Sequence, residues 1–304
     1  KARSDLAKDQ CETEFAVRKS RYLGFEPIPN ASKIQISSPT LLTARPEVGP
    51  SVTTIALIVA AGRGTRMGGE RPKQYQELAG RPVLARTLDV FASHPNIDAV
   101  RAIIHPDDGA LYAGCALGLD LLEPVAGGNT RQDSVRLGLE SLSGINPAKV
   151  LIHDGARPLV KSVIIGRTIT ALDTAVGAIA AIPVRDTLKR ESGGMIAETV
   201  DRFGLWRAQT PQGFRFGEIL SAHRAAQGLA LTDDAAVAEH AGVPVALIED
   251  TEDNLKITTM DDLARAEQLL SGGGGDIRVG TGFDVHRFGP GTSVRMCGVD
   301  IPHS

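Results

Sequence analysis

Glycines alternate with cationic side chains in a short stretch between residues 53 and 73, TTIALIVAAGRGTRMGGERPK. The apolar run from Ile55 to Ala61 is typical of a buried central strand of an α/β sheet. Glycines directly after such a strand let backbone N–H groups approach a phosphate closely. Cations in the same loop supply charge for several phosphate oxygens. The stretch therefore predicts a nucleoside triphosphate site, with the loop candidates Gly62, Gly64, Arg66 and Lys73.

Two common phosphate-binding motifs do not account for this loop. It lacks the Lys-Ser or Lys-Thr pair that follows the glycines of a Walker loop. A dinucleotide fingerprint opens directly into a helix, whereas here more loop and Pro72 follow Gly64. The alternative is a tight turn between a strand and a helix. The added charges of Arg66 and Lys73 favour nucleotide binding over that alternative.

Two adjacent glycines precede a predicted helix in the stretch GGNTRQDSV, residues 127 to 135. Asn129 and Thr130 both have side chains that cap helix amino termini. Read from residue types alone, the stretch is an ordinary capped junction between a strand and a helix. Further apolar runs at 99–104, 121–126 and 176–182 predict strands of the same sheet.

A third polar constellation follows the buried run in VLIHDGARP, residues 150 to 158. Asp154 lies at the carboxyl end of this predicted parallel strand, where α/β sheets bind their ligands. Mg²⁺ prefers a few carboxylates together with substrate phosphates, so Asp154 is a candidate magnesium ligand. The alternative is that Asp154 caps the turn or pairs with Arg157.

Two polar segments around Ser192, Gly193 and Gly194 predict an exposed β-hairpin. Further along the chain, residues 253–258 predict a short strand that carries Lys256. Helices are predicted from Pro82, over 163–174, from Phe216 to Gln227, after Leu231, and over 261–270.

The composition excludes several classes of protein. A formal net charge of -3 argues against a broad nucleic-acid surface. Three well-separated cysteines give no disulfide framework, which favours a reducing compartment such as the cytoplasm. The longest apolar runs are too short to span a membrane. Residues 1–50, rich in charge and then in Pro, Ser and Thr, are expected to form a disordered leader.

The motifs AAGRGTRM and PKQY together resemble the signature of the 2-C-methyl-D-erythritol 4-phosphate cytidylyltransferases. GGNTRQDSV and HDGARP resemble two further motifs of that family, which usually has Asp where this chain has Asn129. The resemblance implies a Rossmann-like nucleotidyltransferase α/β fold with a mostly parallel twisted sheet, over residues 51–271. It also implies a protruding hairpin arm that makes a homodimer. The implied reaction joins CTP to 2-C-methyl-D-erythritol 4-phosphate, with Mg²⁺. A related polyol phosphate such as ribitol 5-phosphate, or a non-catalytic nucleotide-binding module, is the alternative.

The resemblance also implies a role for each matching residue. The implied catalytic residues are Arg66, Lys73 and Lys256. The implied nucleotide-binding residues are Ala60, Ala61, Gly62, Gly64, Gly128, Asn129, Arg131, Ser134 and Gly155. The implied substrate-binding residues are Asp154, Arg157, Thr187, Arg202, Thr210, Thr232 and Lys256, with Thr187 and Arg202 lent by the arm to the partner subunit.

A second resemblance begins after the four glycines at 272–275, which are typical of a flexible linker. Residues 276–304 resemble the first strand of 2-C-methyl-D-erythritol 2,4-cyclodiphosphate synthase. Asp284 and His286 match the Asp-x-His ligands of its divalent metal, such as Zn²⁺. Two ligands alone rarely hold zinc, so this stretch is interpreted as the truncated start of a synthase domain.

Overall fold

The structure is a computed structural model, and it describes residues 53–63, 71–272, 291–296 and 299–302. In chain order its strands are β1 (Thr54–Ala60), β2 (Glu77–Leu78), β3 (Arg81–Pro82), β4 (Ala99–Ile104), β5 (Leu122–Ala126), β6 (Lys149–Asp154), β7 (Gly177–Pro183), β8 (Leu188–Ser192), β9 (Met195–Val200), β10 (Trp206–Arg215), β11 (Val245–Glu249), β12 (Ser293–Met296) and β13 (Val299–Pro302). Its α-helices are α1 (Val83–Ala92), α2 (Gly109–Ala116), α3 (Arg131–Ser141), α4 (Ser162–Ala171), α5 (Phe216–Ala225), α6 (Asp234–His240) and α7 (Met260–Leu270).

The central element is a seven-stranded sheet in the order β11-β7-β10-β6-β1-β4-β5. All neighbouring strands in it are parallel except β10, which runs antiparallel between β6 and β7. The mostly parallel α/β architecture predicted from the sequence is therefore confirmed. No helix in the described part of the chain has the length and apolarity needed to cross a bilayer.

Successive side chains of β1 point to opposite faces of the sheet, and they are apolar on both faces. Helices therefore cover both faces of this sheet. Ile55 and Leu57 pack in one buried cluster with apolar residues of α3, α5 and α6. Ala56 and Ile58 pack in a second cluster with residues of α1, α2 and α4. A smaller cluster joins α7 to β2 through Leu78 and neighbouring residues. Each fully buried Leu or Ile contributes roughly 1.5–3 kcal/mol of transfer free energy.

The parallel strands β1, β4 and β6 end at the same edge of the sheet, and this edge collects the polar motifs. Val59 of β1 lies beside Asp154 of β6, and Ala60 lies beside Ile104 of β4. The residues that follow each strand are therefore neighbours in space, although they are far apart in sequence. Ligands of α/β proteins bind at this edge.

One strand of the sheet was not predicted, and one predicted strand is absent. Strand β10 was not predicted, because Pro211 and buried glutamines interrupt its apolar pattern, and proline argues against a central strand. A register shift between Ala208 and Gln212 accommodates the proline. Residues 253–258 form no strand, because Ile257 donates to Ala156 O at 2.8 Å without a ladder of further bonds.

The hairpin predicted around Gly193 and Gly194 is present as β8 paired with β9. Both glycines have positive φ, 61° and 79°, which a two-residue hairpin turn of the primed kind requires. Of the other segments named from the sequence, the leader 1–50, residues 273–275 of the linker and residues 276–290 lie outside the described residues.

Gln212 gives a test of how β10 is held against α6. Its buried amide donates to Asp233 Oδ2 at 2.9 Å and accepts from Ala235 N at 3.0 Å. We expect Gln212→Leu to lower the free energy of unfolding by about 1–3 kcal/mol, because it leaves buried polar groups unpaired. Urea denaturation measures this loss. The exposed Gln227→Leu is the matched control, with an expected change within about 0.5 kcal/mol. Equal effects of the two variants would contradict the assignment.

Candidate active site

A cavity of about 460 Å³ opens at the carboxyl edge of the sheet. It is bordered by the ends of β1 and β6, the 3₁₀ turn at Lys73–Tyr75 and the start of α3. Most of the nucleotide-binding residues implied by the sequence therefore meet at one place. The implied residues that line the cavity are Ala60, Ala61, Gly62, Lys73, Gly128, Asn129, Arg131, Ser134, Asp154 and Lys256.

The other implied residues have different positions. Gly155 and Arg157 follow Asp154 in the turn after β6, and Thr210 is buried behind them on β10. Thr187, Arg202 and Thr232 are exposed and are absent from the cavity lining. Outside the described residues lie Gly64, Arg66, Asp284 and His286.

Asp154 is the centre of the charge distribution at this cavity. Its Oδ2 lies 2.9 Å from Lys256 Nζ and 3.5 Å from Arg157 Nε, while its Oδ1 lies 3.3 Å from Arg131 Nε. Asp154 is 7% exposed, so its carboxylate is largely removed from water, whereas the Lys256 side chain remains 35% exposed. The pair between Asp154 and Arg157, which the sequence offered as the alternative to a magnesium ligand, is thus one part of a larger cluster.

The cations decide the ionisation state of Asp154. Burial alone would raise the pKa of its carboxyl, but the charges of Arg131, Lys256 and Arg157 outweigh burial and hold that pKa well below its ordinary value. Asp154 is therefore an anion throughout the physiological pH range. A permanently charged carboxylate on a cavity wall can pair with cationic side chains of the protein. It can also pair with a cation that is bound together with a ligand.

A chain of hydrogen bonds behind Asp154 fixes the end of β6. Asp154 N donates to Thr210 Oγ1 at 3.1 Å, and Thr210 Oγ1 lies 3.0 Å from His153 Nδ1. The opposite ring atom, His153 Nε2, lies 3.1 Å from Arg157 O. Because a carbonyl only accepts, Nε2 carries the proton and Nδ1 accepts from the Thr210 hydroxyl. The hydroxyl of Thr210 is thus occupied in positioning Asp154.

Close backbone approach explains the glycines before α3. A Cβ at Gly128 would lie 2.5 Å from Asp133 Cβ, which no side chain tolerates. The absence of that atom lets Gly128 N donate to Ser134 Oγ at 3.0 Å. Thr130 caps α3 by accepting from Asp133 N at 3.0 Å, so of the two cap candidates the helix uses Thr130 rather than Asn129.

Gln74 holds the residues that lead into the glycine loop. Its buried amide donates to Ala60 O at 2.7 Å and to Gly62 O at 3.0 Å. Lys73, the preceding residue, lines the cavity. Arg63 also lines the cavity, but Asp107 and Asp108 both pair with it at 2.8 Å. The charge of Arg63 is therefore partly neutralised within the protein.

The donor set fits a divalent cation bound together with phosphates. No group of three or more His, Cys, Asp or Glu side chains in the described ranges is arranged to hold a metal by itself. Mg²⁺ on a nucleotide needs only one or two protein carboxylates, since phosphates and water supply the rest. The cavity-lining Asp154 provides one such carboxylate, while the surrounding cations favour the phosphates.

Sequence reasoning missed several residues that shape this site. Gln74 was overlooked as a positioning residue, although its place directly after Lys73 was a usable signal. His105 was given no role, yet it lines the cavity and its Nδ1 lies 2.6 Å from Arg63 Nη2. Asp234 was also missed, and it pairs with Arg131 at 2.9 Å. No local pattern links Asp234 to Arg131.

The sheet edge and its cationic cavity define a nucleotide-binding α/β protein of the kind that handles phosphate groups. Comparison with known families gives the particular assignment. The model of the family described as "IspD: 2-C-methyl-D-erythritol 4-phosphate cytidylyltransferase" matches residues 54–272. The chain belongs to this family.

Individual relatives agree with the family assignment. The chain is 63% identical over 250 residues to a "Bifunctional enzyme IspD/IspF" of Rhodospirillum rubrum, covering 82% of this chain and 65% of that protein. A protein of the same name from Paramagnetospirillum magneticum is 60% identical over 251 residues, with coverage of 82% and 65%. The chain thus spans slightly less than two thirds of the length of these relatives.

Solved structures agree as well. The crystal structure of 2-C-methyl-D-erythritol 4-phosphate cytidylyltransferase from Thermus thermophilus is 33% identical. It superposes with a TM-score of 0.60, covering 71% of this chain and 98% of that chain. The α/β nucleotidyltransferase fold is therefore shared.

His153 predicts a pH dependence of stability. Burial lowers its pKa to about 4 from an ordinary value of 6.5. Between these values the unfolded chain binds a proton that the folded protein does not. The free energy of unfolding therefore falls as the pH drops from about 7 towards 4, by up to about 1.4 kcal/mol per pH unit. Asp154 adds its own loss of stability at lower pH, where its carboxylate would take up a proton in the unfolded chain first.

Urea denaturation at pH 7, 6 and 5 measures this slope. In His153→Gln the slope should be smaller than in the unmodified protein, because the histidine that the unfolded chain protonates is gone. The exposed His240→Gln is the matched control. The same pH dependence in the His153→Gln variant and the unmodified protein would rule out His153 as its source.

Proposed function

We propose that residues 54–272 transfer CMP from CTP to 2-C-methyl-D-erythritol 4-phosphate and release pyrophosphate. The observation that carries the proposal is the convergence of Lys73, Arg131, Lys256 and Asp154 on one cavity at the sheet edge. Membership of the cytidylyltransferase family supports the identity of the substrates. The names of the relatives support a place in isoprenoid precursor synthesis.

The proposed chemistry is an in-line displacement. A phosphate oxygen of the polyol phosphate forms a bond to the α-phosphorus of CTP, and the bond from that phosphorus to the bridging oxygen of pyrophosphate breaks. No general base is required, because the attacking phosphate is already an anion at neutral pH. Catalysis then consists of positioning and charge stabilisation.

Each charged residue has a proposed part in that displacement. Lys73 and Arg66 would neutralise charge on the transferring phosphoryl group and the leaving pyrophosphate. Lys256 and Arg157 would hold the incoming phosphate, which their shared contact with Asp154 Oδ2 supports. Gly128, Asn129, Arg131 and Ser134 would contact the cytosine and ribose.

Asp154 would hold a divalent cation, which we propose to be Mg²⁺. The ion would supply positive charge to the triphosphate. Lys256 now contacts Asp154 at 2.9 Å, so phosphate binding offers Lys256 a second anionic partner. The family is consistent with metal use, and a titration of activity against Mg²⁺, Mn²⁺ and Ca²⁺ identifies the ion.

A substrate panel tests the proposal directly. Pyrophosphate release is measured with CTP, Mg²⁺ and either 2-C-methyl-D-erythritol 4-phosphate or ribitol 5-phosphate. We expect turnover with the erythritol phosphate and little with the ribitol phosphate. Faster turnover with ribitol 5-phosphate would assign the other polyol, and CTP binding without turnover on any substrate would indicate a non-catalytic module.

Lys73→Ala tests the contribution of the loop cation. We expect kcat to fall by about 100-fold or more, because a charge contact made in the transition state is lost. Lys161→Ala is the matched control, since Lys161 makes an exposed pair with Asp253 at 2.8 Å and lies outside the cavity. Circular dichroism establishes that both variants are folded. A folded Lys73→Ala enzyme with near-normal kcat would remove Lys73 from the mechanism.

We further propose that the hairpin β8–β9 makes the protein a homodimer with shared sites. The hairpin is exposed, and it bears the apolar side chains Met195 and Ile196, 74% and 69% exposed, with Phe203, 91% exposed, after it. A two-stranded ribbon is marginally stable alone in water, and a second subunit provides a surface for it. Thr187 and Arg202, which lie outside the cavity of their own chain, would then complete the site of the partner.

Mixed dimers test this arrangement. If Arg202 acts across the interface, mixing inactive Arg202→Ala and Lys73→Ala subunits restores one site in each mixed dimer. Random mixing gives about half mixed dimers, so activity should return to roughly a quarter of the normal value on two-fold symmetry. Subunit exchange is followed with two affinity tags. No recovery after proven exchange would show that Arg202 serves its own subunit or is dispensable.

The relatives are named as bifunctional enzymes, and their second activity leads to a proposal for the whole protein. We propose that residues 276–304 begin a cyclodiphosphate synthase domain, with Asp284 and His286 among the ligands of a divalent metal such as Zn²⁺. The Asp-x-His motif and the bifunctional names support this. We also propose a cytoplasmic location, for which the sparse, widely spaced cysteines are the support.

A further inference from the structure

A second buried carboxylate lies behind the cavity, and the proposed mechanism does not use it. Asp234, the first residue of α6, has a side chain that is 1% exposed. Its Oδ2 accepts from Arg131 Nη2 at 2.9 Å. Its Oδ1 lies 3.2 Å from Nε2 of His223, a fully buried residue of α5, in a close contact that lacks the alignment of a hydrogen bond. Asp234 thus joins three helices through charged or polar contacts.

Arg131 is shared between two carboxylates. Its Nε faces Asp154 Oδ1 at 3.3 Å, and its Nη2 faces Asp234 Oδ2 at 2.9 Å. Among the described residues, no hydrogen bond of Arg131 uses Nη1. Because Arg131 lines the cavity, the N–H groups of Nη1 and the second N–H of Nη2 remain as donors for a ligand. The two carboxylates therefore hold the guanidinium from two directions.

The geometry implies a division of charge. The shorter contact of Arg131 is with Asp234, and the longer contact is with Asp154. Without Asp234, the only described carboxylate contacting Arg131 would be Asp154, and Arg131 would neutralise Asp154 more completely. A buried guanidinium also costs free energy unless it is paired. Asp234 thus both stabilises the half-buried cation and draws part of its charge away from Asp154.

We propose that Asp234, with His223 beside it, is a positioning residue that orients the Arg131 guanidinium for the nucleotide and shares that guanidinium with Asp154. Asp234 does not line the cavity, so its effect on the ligand passes through Arg131. The inference deepens the proposed function and rests on it for the identity of the ligand, CTP. It concerns only the residues of this chain.

A double-mutant cycle tests the inference. The dissociation constant of CTP is measured by calorimetry, and kcat/KM by pyrophosphate release, in Asp234→Asn, Arg131→Gln and the double variant. We expect Asp234→Asn to weaken CTP binding by about 10-fold in the unmodified background. In the Arg131→Gln background it should weaken binding by less than about 3-fold, because contacting residues that act as a unit are not additive.

Control variants separate positioning from general destabilisation. Asp98→Asn alters the Asp98 Oδ2 contact with Thr54 N, 2.7 Å, at the opposite end of β1 from the cavity. It should leave CTP binding unchanged in both backgrounds. If Asp234→Asn is unfolded by circular dichroism, His223→Asn replaces it, with an expected loss of about 3-fold that also disappears in Arg131→Gln.

The outcomes distinguish the two proposals. Equal losses from Asp234→Asn, or from His223→Asn in its place, in both backgrounds would overturn the positioning role, since a merely structural effect is additive. No loss in either background would overturn it as well. Failure of the unmodified protein to bind CTP would instead contradict the proposed function.

Discussion

The buried carboxylate of Asp154, surrounded by Arg131, Arg157 and Lys256, is the interaction on which the rest of the site depends. A buried ion cluster is costly to assemble because each charge loses its hydration. It persists here because every member has an opposite charge within 3.5 Å. The cluster also fixes the relative positions of separate segments, since its members come from β6, the turn after it, the start of α3 and the loop before α7.

Backbone order at the end of β6 makes this cluster possible. Thr210 of the antiparallel strand β10 binds the Asp154 backbone, and Asn254 Nδ2 donates to Thr210 O at 2.8 Å. Asn254 O in turn accepts from Arg157 Nη1 at 2.6 Å. These bonds hold the irregular segment that carries Lys256 in place without any strand pairing. The position of Lys256 therefore depends on hydrogen bonds of side-chain amides and hydroxyls. Such bonds can hold an irregular loop, whereas a sheet requires a regular strand register.

These details explain what the sequence could and could not predict. The parallel strands and the polar residues that follow them were predictable, because apolar runs and glycine loops are local patterns. Gly128 and Ser134 were assigned to the site only through the resemblance of GGNTRQDSV to a family motif. The contact of Arg131 with Asp234 spans 103 positions, and neither residue has a local pattern that indicates the other. Strand β10 was hidden by Pro211 and by glutamines whose polar groups find their partners only in the folded protein.

The excess of cations at the cavity is better explained by ligand binding than by stability. Replacing buried ion pairs with apolar side chains of similar volume is often neutral or stabilising, so stability alone does not favour this cluster. Among the described residues, the three cations Arg131, Arg157 and Lys256 contact the carboxylate of Asp154, and Asp234 is the one further carboxylate that pairs with any of them. A polyphosphate would supply the missing negative charge, and Asp154 holds its partner cations in position until it arrives. The protein thereby places fixed charges where phosphoryl oxygens develop negative charge, with little reorganisation during the reaction.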